Sequence, residues 1–557
     1  MFMKVIKYLF SLSLPDSSLC LSASVLAGSQ LSDGNMRLTF GIFPKDGLSM
    51  SLSGVTMALC TLTLLLVALR GRKREGAGHS KGTLPPGPTP WPLVGNLFQM
   101  GDQIHLSLTQ LRMQYGDVFQ MRMGSLVVVV LSGYATIRQA LVRQGEAFAG
   151  RPDLFTFSAV ANGTSMTFSE KYGPAWVLHK KLCKNALRSF SQAESRGPDT
   201  TCLLEEHVCA EAAGMVEAIW ELSEASEGLG LDPVVPLVTS VANVVCALCF
   251  GKRYDYNDKE FLTIVHINNE VLRIFAAGNM ADFFPVFRYL PSPSLRKMVQ
   301  HISRMNSFME HNIEEHLETF DKDCIRDITD ALIALCEDRQ EDEDTAVLSN
   351  SQIIHTVIDI FGAGFDTIIA GLQWSLLYLI KFPDIQVKIH QEIDDHIGPA
   401  RLPRFEDKPK MPFTESFLYE VFRHTSYVPF TIPHCTTQNI TLNGYFIPKD
   451  TCVFINQYQV NHDIDLWGDP DVFRPERFLG KEGLLNKDLT DKVMIFGMGK
   501  RRCLGDGFAR LEMFVFLTTL LHRLCIENVP GQELDLSTDF GLTMKPRPYR
   551  ISVSSRL

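Results

Sequence analysis

The feature that most constrains this chain is a glycine-rich loop around one cysteine. The segment reads Phe496-Gly-Met-Gly-Lys-Arg-Arg-Cys-Leu-Gly505, with Cys503 just before a helix predicted to start near Leu504. Glycines at 497, 499 and 505 let the backbone pass close beneath a flat ligand. Amide hydrogens at a helix start have no partners within the helix, and we expect them to favour the thiolate over the thiol. The loop is typical of a haem-thiolate site.

A single cysteine at a helix cap is more often a buried structural residue than a metal ligand. Here five positions match the pattern Phe-x-x-Gly-x-Arg-x-Cys-x-Gly: Phe496, Gly499, Arg501, Cys503 and Gly505. In this pattern the chain resembles the cytochrome P450 superfamily. The resemblance implies that Cys503 is the axial ligand of haem iron and that Phe496 and Arg501 contact haem b. A thiolate ligand pushes electron density onto the iron and promotes O–O cleavage, so the pattern predicts oxygen activation.

Length and composition set outer bounds. The 557 residues, 45% of them hydrophobic, are enough to bury a haem-sized pocket. A net charge of -10 without a long Lys/Arg run argues against a nucleic-acid partner. Thirteen cysteines lack the spacing of a disulfide framework, which predicts reduced thiols facing the cytosol.

The uncharged stretch 48–69 is long enough for one membrane-spanning helix, which needs about 20 apolar residues. The basic cluster that follows consists of Arg70, Arg72, Lys73 and Arg74. Positive charge stays on the cytoplasmic side, so we expect a single-pass signal anchor with a cytosolic C-terminal part. The basic and proline-rich segment 70–95 is expected to act as a stiff hinge. The resemblance implies the endoplasmic reticulum as the membrane.

Residues 1–47 fit no targeting pattern, because charges and Pro15 interrupt the apolar run. They are an unassigned extension, and one hypothesis is a gene model that starts too early. A start at Met36 or Met50 would leave the usual short lumenal tail. The remaining range, 96–557, is expected to form one haem-thiolate catalytic domain.

Periodicity after the hinge predicts a mainly α protein of the α+β class. The predicted elements are a helix at 105–115, a hairpin of strands 117–123 and 125–131 about Gly124, helices at 134–145 and over most of 176–336, and strands at 440–447, 451–456 and 550–553. The resemblance implies the cytochrome P450 fold.

The apolar stretch 353–380 contains acidic residues and glycines, which argue against a second membrane span and for a long central helix. Midway along it lies Ala363-Gly-Phe-Asp-Thr367, where a threonine hydroxyl can bond to the preceding turn and open the helix. Oxygen activation needs protons, so Asp366 and Thr367 are the predicted catalytic relay. The superfamily has a second hydroxyl where Ile368 stands, a change expected to alter pocket shape. A kinked helix without function is the alternative.

Glu420 and Arg423 lie three residues apart on one helix face, a spacing that is common at protein surfaces. The resemblance implies instead a buried structural network that joins them to Arg477, within Phe473-Arg-Pro-Glu-Arg-Phe478.

Haem carries two propionates, so cationic and hydrogen-bonding groups from distant segments should converge on it. The resemblance points to Trp176, Lys180, His434, Arg501 and Arg151. Lys180 replaces the commoner arginine, which keeps the charge but gives up bidentate geometry.

Six basic residues flank the cysteine side of the predicted haem: Lys180, Lys181, Lys184, Lys500, Arg502 and Arg510. In an acidic chain such a face would steer an acidic electron donor, here an NADPH-dependent flavoprotein reductase, with cytochrome b5 as a second candidate. A solvated helix face without a partner is the alternative.

Four stretches further resemble the vertebrate family 1 group, the aryl hydrocarbon hydroxylases: 325–330, 361–367, 428–434 and 496–501. That group oxidises planar polycyclic aromatics and also steroids, retinoids and fatty acids. By position, the small hydrophobic substrate would be lined by Phe168, Val271, Phe365, Val428, Ile432, Leu542 and Thr543. Val271 stands where an aromatic is common, which is expected to loosen the pocket.

Three functions are consistent with these patterns. The favoured one is a membrane-anchored monooxygenase that inserts one atom of O2 into hydrophobic substrates with NADPH-derived electrons. A haem-thiolate isomerase or dehydratase acting on peroxides needs neither Asp366 nor Thr367. A non-enzymatic haem-binding sensor or carrier would bind substrate and consume no NADPH.

Overall fold

The computed structural model describes residues 82–161, 164–191, 203–226, 228–256, 258–290, 292–340 and 348–556. The predicted membrane anchor at 48–69, the unassigned range 1–47 and the start of the hinge lie outside the described residues. In the described part, helices make up most of the molecule and four small sheets lie beside them. The helix-rich prediction is therefore confirmed.

The helices in the first half of the described chain are α1 Ile104–Tyr115, α2 Tyr134–Arg138, α3 Phe155–Ala161, α4 Pro174–Ser191, α5 Leu203–Ala225, α6 Val234–Phe250, α7 Lys259–Ala277, α8 Met280–Phe283, α9 Pro293–Glu318 and α10 Ile328–Gln340. Those in the second half are α11 Asn350–Gly364, α12 Asp366–Lys381, α13 Pro383–His396, α14 Pro412–Thr425, α15 Gln457–Asn461, α16 Ile464–Trp467, α17 Lys487–Thr490 and α18 Asp506–Arg523. A π-helical turn, Gln139–Arg143, continues α2.

The strands are β1 Val118–Met123, β2 Leu126–Leu131, β3 His434–Cys435, β4 Ile440–Leu442, β5 Tyr445–Ile447, β6 Cys452–Ile455, β7 Leu524–Asn528, β8 Thr538–Asp539, β9 Lys545–Pro546 and β10 Ile551–Ser555. The largest sheet has the order β1-β2-β6-β3, and its β2–β6 pair is parallel. Antiparallel pairs β4–β5, β7–β10 and β8–β9 form the others. The hairpin about Gly124 is as predicted, with Met123 opposite Leu126.

The central helix is split as the sequence indicated. Helix α11 ends at Gly364, Phe365 leaves the helical pattern, and α12 begins at Asp366. Almost every side chain of α12 is buried, among them Trp374, and the helix packs against α6, α14, α18 and β9. Within the described residues, 350–381 is also the one stretch long and apolar enough to cross a membrane. Its burial inside the domain identifies it as a core helix.

Candidate active site

The cysteine loop is closed by backbone contacts that only glycine permits. Cys503 N donates to Phe496 O at 2.9 Å, which ties the two ends together. Gly499 has φ +69°, and a Cβ there would lie 1.8 Å from Leu141 O. Helix α18 begins at Asp506 with Gly505 as its N-cap, two residues later than the sequence indicated. The loop is therefore held tightly while its sulfur stays at the helix start.

Cys503 is exposed to solvent on one side, while protein atoms surround its sulfur on the others. Burial raises the pKa of Cys503, although the Gly505 amide, Lys180 and Arg502 each lower it. The local donors therefore favour the thiolate as expected, but desolvation outweighs them and the net pKa of Cys503 is raised. A metal ion bound to the sulfur deprotonates a thiol outright, so the site still suits an iron ligand.

Open space also borders the split central helix. Ala363 is exposed although it lies in the middle of a core helix, and its neighbours Gly362, Gly364 and Thr367 are half-exposed. The Thr367 hydroxyl donates to Ala363 O at 3.0 Å, the bond to the preceding turn that the sequence predicted. The surface that small residues leave at this break is one a flat ligand can approach.

Two predicted propionate ligands, Arg501 and Lys180, lie beside the loop with Trp176. The Arg501 guanidinium lies 4.1 Å from the centre of the Trp176 ring and donates to Ala149 O, Met166 O and Ser169 O. Lys180 Nζ lies 5.5 Å from the same ring and donates to the backbone oxygens of Lys500 and Arg502. Segments distant in sequence therefore meet at one place.

Arg151 and His434 complete this cluster. Arg151 is buried and donates to the backbone oxygens of Thr167, Ile432 and Pro433. His434 Nδ1 bonds to Phe148 O at 2.8 Å. Burial, followed by the charge of Arg151, lowers the pKa of His434 to about 3, so this imidazole is neutral at physiological pH.

The cations of the cluster have no carboxylate in ion-pair contact among the described residues, although the charge of the buried Asp359 acts from further away to raise the pKa of Arg151 and of Arg501. No carboxylate forms an ion pair with Arg151, Lys180 or Arg501 in the part of the chain that the structure describes. Burial lowers the pKa of Arg151 well below its ordinary value, that of Arg501 to about 10 and that of Lys180 to about 8. Buried cations require a counter-charge. Two propionates would provide it, so the donor set fits haem.

The carboxylate of Asp366 is buried and turned away from Thr367. It accepts from Thr543 Oγ1 at 2.7 Å and from Lys545 Nζ at 2.5 Å, both in the C-terminal β8–β9 region. No hydrogen bond joins Asp366 to Thr367 among the described residues. The two members of the predicted relay are neighbours in sequence that face different surroundings.

Glu420 binds both arginines that were predicted to join it. Arg423 Nε and Nη2 donate to its carboxylate at 2.8 Å, and Arg477 Nε donates at 3.0 Å. Glu420 and Arg423 are fully buried, and the remaining donors of Arg423 reach Asn461 O and Pro470 O. This group ties α14 to the segment around Phe473–Phe478.

The predicted pocket residues differ in exposure. Phe168, Val428, Ile432 and Leu542 are half-exposed, whereas Val271, Phe365 and Thr543 are buried. Phe168 stacks on Phe275 at 5.6 Å and packs against Phe157 at 5.0 Å. Phe275 lies one helix turn after Val271 and places an aromatic ring against Phe168 from there. The loosening expected from Val271 is therefore partly offset by a neighbour that the sequence did not single out.

Two further groups near the site carried no local sequence signal. Lys545 pairs with Asp366 across 179 positions. Asp359 accepts from Ser165 Oγ at 2.8 Å and from Thr167 N at 2.9 Å, and burial raises its pKa to about 6. Neither pairing follows a helical or strand spacing, so only the folded chain reveals it.

Comparison with known proteins agrees with this geometry. The cytochrome P450 family model matches residues 85–553. The chain is 47% identical to Cytochrome P450 1A1 of Sparus aurata over 90% of this chain and 95% of that protein. It is 49% and 50% identical to the proteins of the same name from Canis lupus familiaris and Rattus norvegicus, over 83% of this chain and 88% of each of them. The chain belongs to the cytochrome P450 family of haem-iron monooxygenases, within its vertebrate family 1.

Proposed function

We propose that this oxidoreductase inserts one atom of O2 into hydrophobic, planar aromatic substrates, with electrons that pass from NADPH through a flavoprotein reductase. Steroids, retinoids and fatty acids are further candidate substrates. The observation that carries the proposal is the cluster of Arg151, Lys180 and Arg501, which forms no ion pair with a carboxylate in the described chain and lies beside Cys503. The relatives named Cytochrome P450 1A1 support the substrate class.

Haem b, when bound, supplies the iron at which O2 is activated. Cys503 would ligate the iron, Phe496 would lie against the ring, and Trp176, Arg151, Lys180, Arg501 and His434 would hold the propionate side. Arg501 and Lys180 are already oriented by backbone oxygens, so little side-chain entropy is lost on binding. Thr367 Oγ1, at the helix break, is the group that would pass protons into the open space.

The electron donor would dock on the basic face, but not all six of its residues present their charge to solvent. Lys181, Lys184, Lys500 and Arg502 are exposed. Lys180 and Arg510 are not available in the same way: Lys180 donates to loop carbonyls, and Arg510 pairs with Asp506 and lies 4.7 Å from the Phe496 ring. Arg502 also pairs with Asp506, and Lys500 lies 3.4 Å from a Glu146 carboxylate oxygen. The exposed Lys181 and Lys184, which form no ion pair among the described residues, remain to attract an acidic reductase or cytochrome b5.

We propose that the chain is anchored in the endoplasmic reticulum membrane by 48–69, with 70–95 as hinge and 96–557 as the cytosolic catalytic domain. Exposed apolar side chains support membrane contact. The contributing residues are Leu84, Trp91, Leu93, Phe98, Val286, Tyr289 and Leu290.

The apolar residues come from two segments, 84–98 and 286–290, which backbone hydrogen bonds bring to one edge of the domain. Gly124 N donates to Val94 O at 3.1 Å, and Ser125 N donates to Phe283 O at 2.8 Å. The β1–β2 turn therefore connects the end of the hinge with the end of α8. An apolar edge next to an anchored hinge suits a bilayer surface.

The first test is NADPH-dependent O-dealkylation of a planar alkoxyphenoxazone by membranes that contain the full chain and its reductase. We expect turnover in the wild type and none in Cys503→Ala, which lacks the iron ligand. Turnover with peroxide alone would favour the isomerase reading. A normal haem-thiolate spectrum without NADPH consumption would contradict the proposal.

A further inference from the structure

Two cysteine thiols face each other across the largest sheet. Cys435 of β3 lies directly opposite Cys452 of β6, and both residues are buried and free of disulfides. Thr436 N, one residue on, donates to Thr451 O at 3.0 Å. The N and O of Cys435 bond instead to Gly150, at 2.9 and 3.0 Å, on the other side of β3. Because hydrogen-bonded and non-hydrogen-bonded pairs alternate along an antiparallel ladder, Cys435 and Cys452 form a non-hydrogen-bonded pair.

A pair of this kind brings its two side chains close together on one face of the sheet. The Cα atoms of such a pair are about 4.5 Å apart, and a disulfide needs Cα atoms about 4.4–6.8 Å apart. Burial raises the pKa of Cys452, and the charge of a Cys435 thiolate raises it further, so the two sulfurs act on each other. The positions of both residues therefore suit a disulfide between β3 and β6.

Burial keeps both thiols protonated while the sheet is closed. It raises the pKa of Cys435 to about 12 and also raises that of Cys452. A thiol reacts as its thiolate, so the pair stays reduced as long as β3 is in place. However, β3 has only two residues and lies at the edge of its sheet. Such an edge opens more readily than the core strands, and Cys435 would then meet water and ionise first.

The outer side of β3 is held by the segment that would bind the haem propionates. Arg151 donates from Nη1 to the two backbone oxygens just before β3, at 2.9 and 3.0 Å. His434 Nδ1, within β3, bonds to Phe148 O at 2.8 Å. Arg151 and His434 both belong to the cluster that would face the propionates. Bound haem would therefore oppose the opening of β3, because it fixes Arg151 in place.

We propose that Cys435 and Cys452 form a dithiol–disulfide site, which a small-molecule disulfide such as glutathione disulfide oxidises when β3 opens and which bound haem protects. The Cys435 thiolate attacks one sulfur of glutathione disulfide, breaks its S–S bond and releases one glutathione. Cys452 then attacks the mixed disulfide at Cys435, forms the bond between the strands and releases the second glutathione. The two cysteine thiols lose two protons and two electrons in total, and these end on the two glutathione thiols. The proposal requires that the chain binds haem, not that it oxidises a substrate.

The test incubates the full chain, haem-loaded and haem-free, with glutathione disulfide. After the remaining thiols are alkylated and the chain is digested, mass spectrometry measures the peptides joined through Cys435 and Cys452. We expect this link to be the dominant intramolecular disulfide in both forms. Its formation should be roughly 10- to 100-fold slower with haem bound, because a hydrogen bond from Arg151 to a propionate must break first. Cys435→Ser should abolish the link, and Cys324→Ser, which removes an exposed thiol between α9 and α10, should leave it unchanged.

The wild-type digest alone can overturn the proposal, so the result does not depend on whether a variant folds. Glutathione bound to the exposed Cys324, without any link between Cys435 and Cys452, would show that the oxidant acts but the pair does not close. Links from Cys435 to several other cysteines at comparable yield would mark an unfolded chain rather than a built site, and would also overturn it. Equal rates in the haem-loaded and haem-free forms would overturn the protection by haem.

Discussion

The Glu420 network and the cation cluster beside Cys503 are both groups of buried charge, but they are completed differently. Arg423 and Arg477 share the Glu420 carboxylate, and Arg477 also reaches Asp469 at 2.8 Å. Arg151, Arg501 and Lys180 donate to backbone oxygens instead. Two arginines that pair with two carboxylates need nothing further, whereas three cations bound to carbonyl oxygens, with only Asp359 acting on two of them from further away, leave positive charge unpaired. This difference separates a group that supports the fold from one suited to an anionic ligand.

The largest effect is expected in the Glu420 network, where each buried charge has an ion-pair partner. Arg423→Ala leaves Glu420 with one of its two arginines, and breaking a buried pair costs about 3–5 kcal/mol. We expect a matching fall in the free energy of unfolding and a strongly reduced haem content, measured by denaturant titration and by the haem-to-protein ratio.

The control for this variant is Arg474→Ala, since the Arg474 side chain pairs with Asp469 at the surface. That change should cost about 1 kcal/mol or less. Normal stability and haem content in Arg423→Ala would show that the Glu420 network does not support the fold.

The second prediction concerns the incomplete cluster. Arg151→Leu removes a cation that would face a propionate, and a hydrogen bond to a charged group is worth about 1.5–3 kcal/mol. Haem dissociation should therefore accelerate roughly 10- to 100-fold, measured by transfer to a haem scavenger. Arg143→Leu, at an exposed position, should leave the rate unchanged. An unchanged rate in Arg151→Leu would mean that this cation does not hold the ligand.

A third test uses pH. Burial, aided by the charge of Arg501, lowers the pKa of Lys180 from 10.5 to about 8 in the haem-free chain. Between these values the unfolded chain binds more protons, so Lys180 makes haem-free stability rise with pH. A propionate nearby would restore the charge, and haem affinity should weaken above about pH 8. Lys180→Met should flatten this dependence relative to Lys181→Met; parallel profiles would refute it.

The smallest effect is expected at the exposed lysines of the basic face. Lys184→Glu should raise the KM for the reductase by about threefold at low ionic strength, because rim charges act mainly on association and are screened by salt. Arg296→Glu, at an exposed position on α9 that forms no ion pair among the described residues, is the matched control. A salt-independent change, or an equal change in both variants, would show that Lys184 has no part in docking.

Local patterns predicted much of this molecule. The loop around Cys503, the hairpin about Gly124 and the break at Phe365 each depend on residues close in sequence, so glycine placement and periodicity were sufficient. The pairing of Lys545 with Asp366 was not predictable, because the two residues come from different elements without a shared spacing. The extent of desolvation at Cys503 was not predictable for a related reason: it depends on the whole surrounding fold.

The parallel pairing of β2 with β6 has a consequence for biogenesis. About 320 residues separate Val128 from its partner Cys452, and at 5–20 residues per second a ribosome needs about 15–65 s to make them. During that time the edge of β2 that will pair with β6 has no strand partner. Cys503 emerges later still. Haem capture by Cys503 is therefore an event of the nearly finished chain.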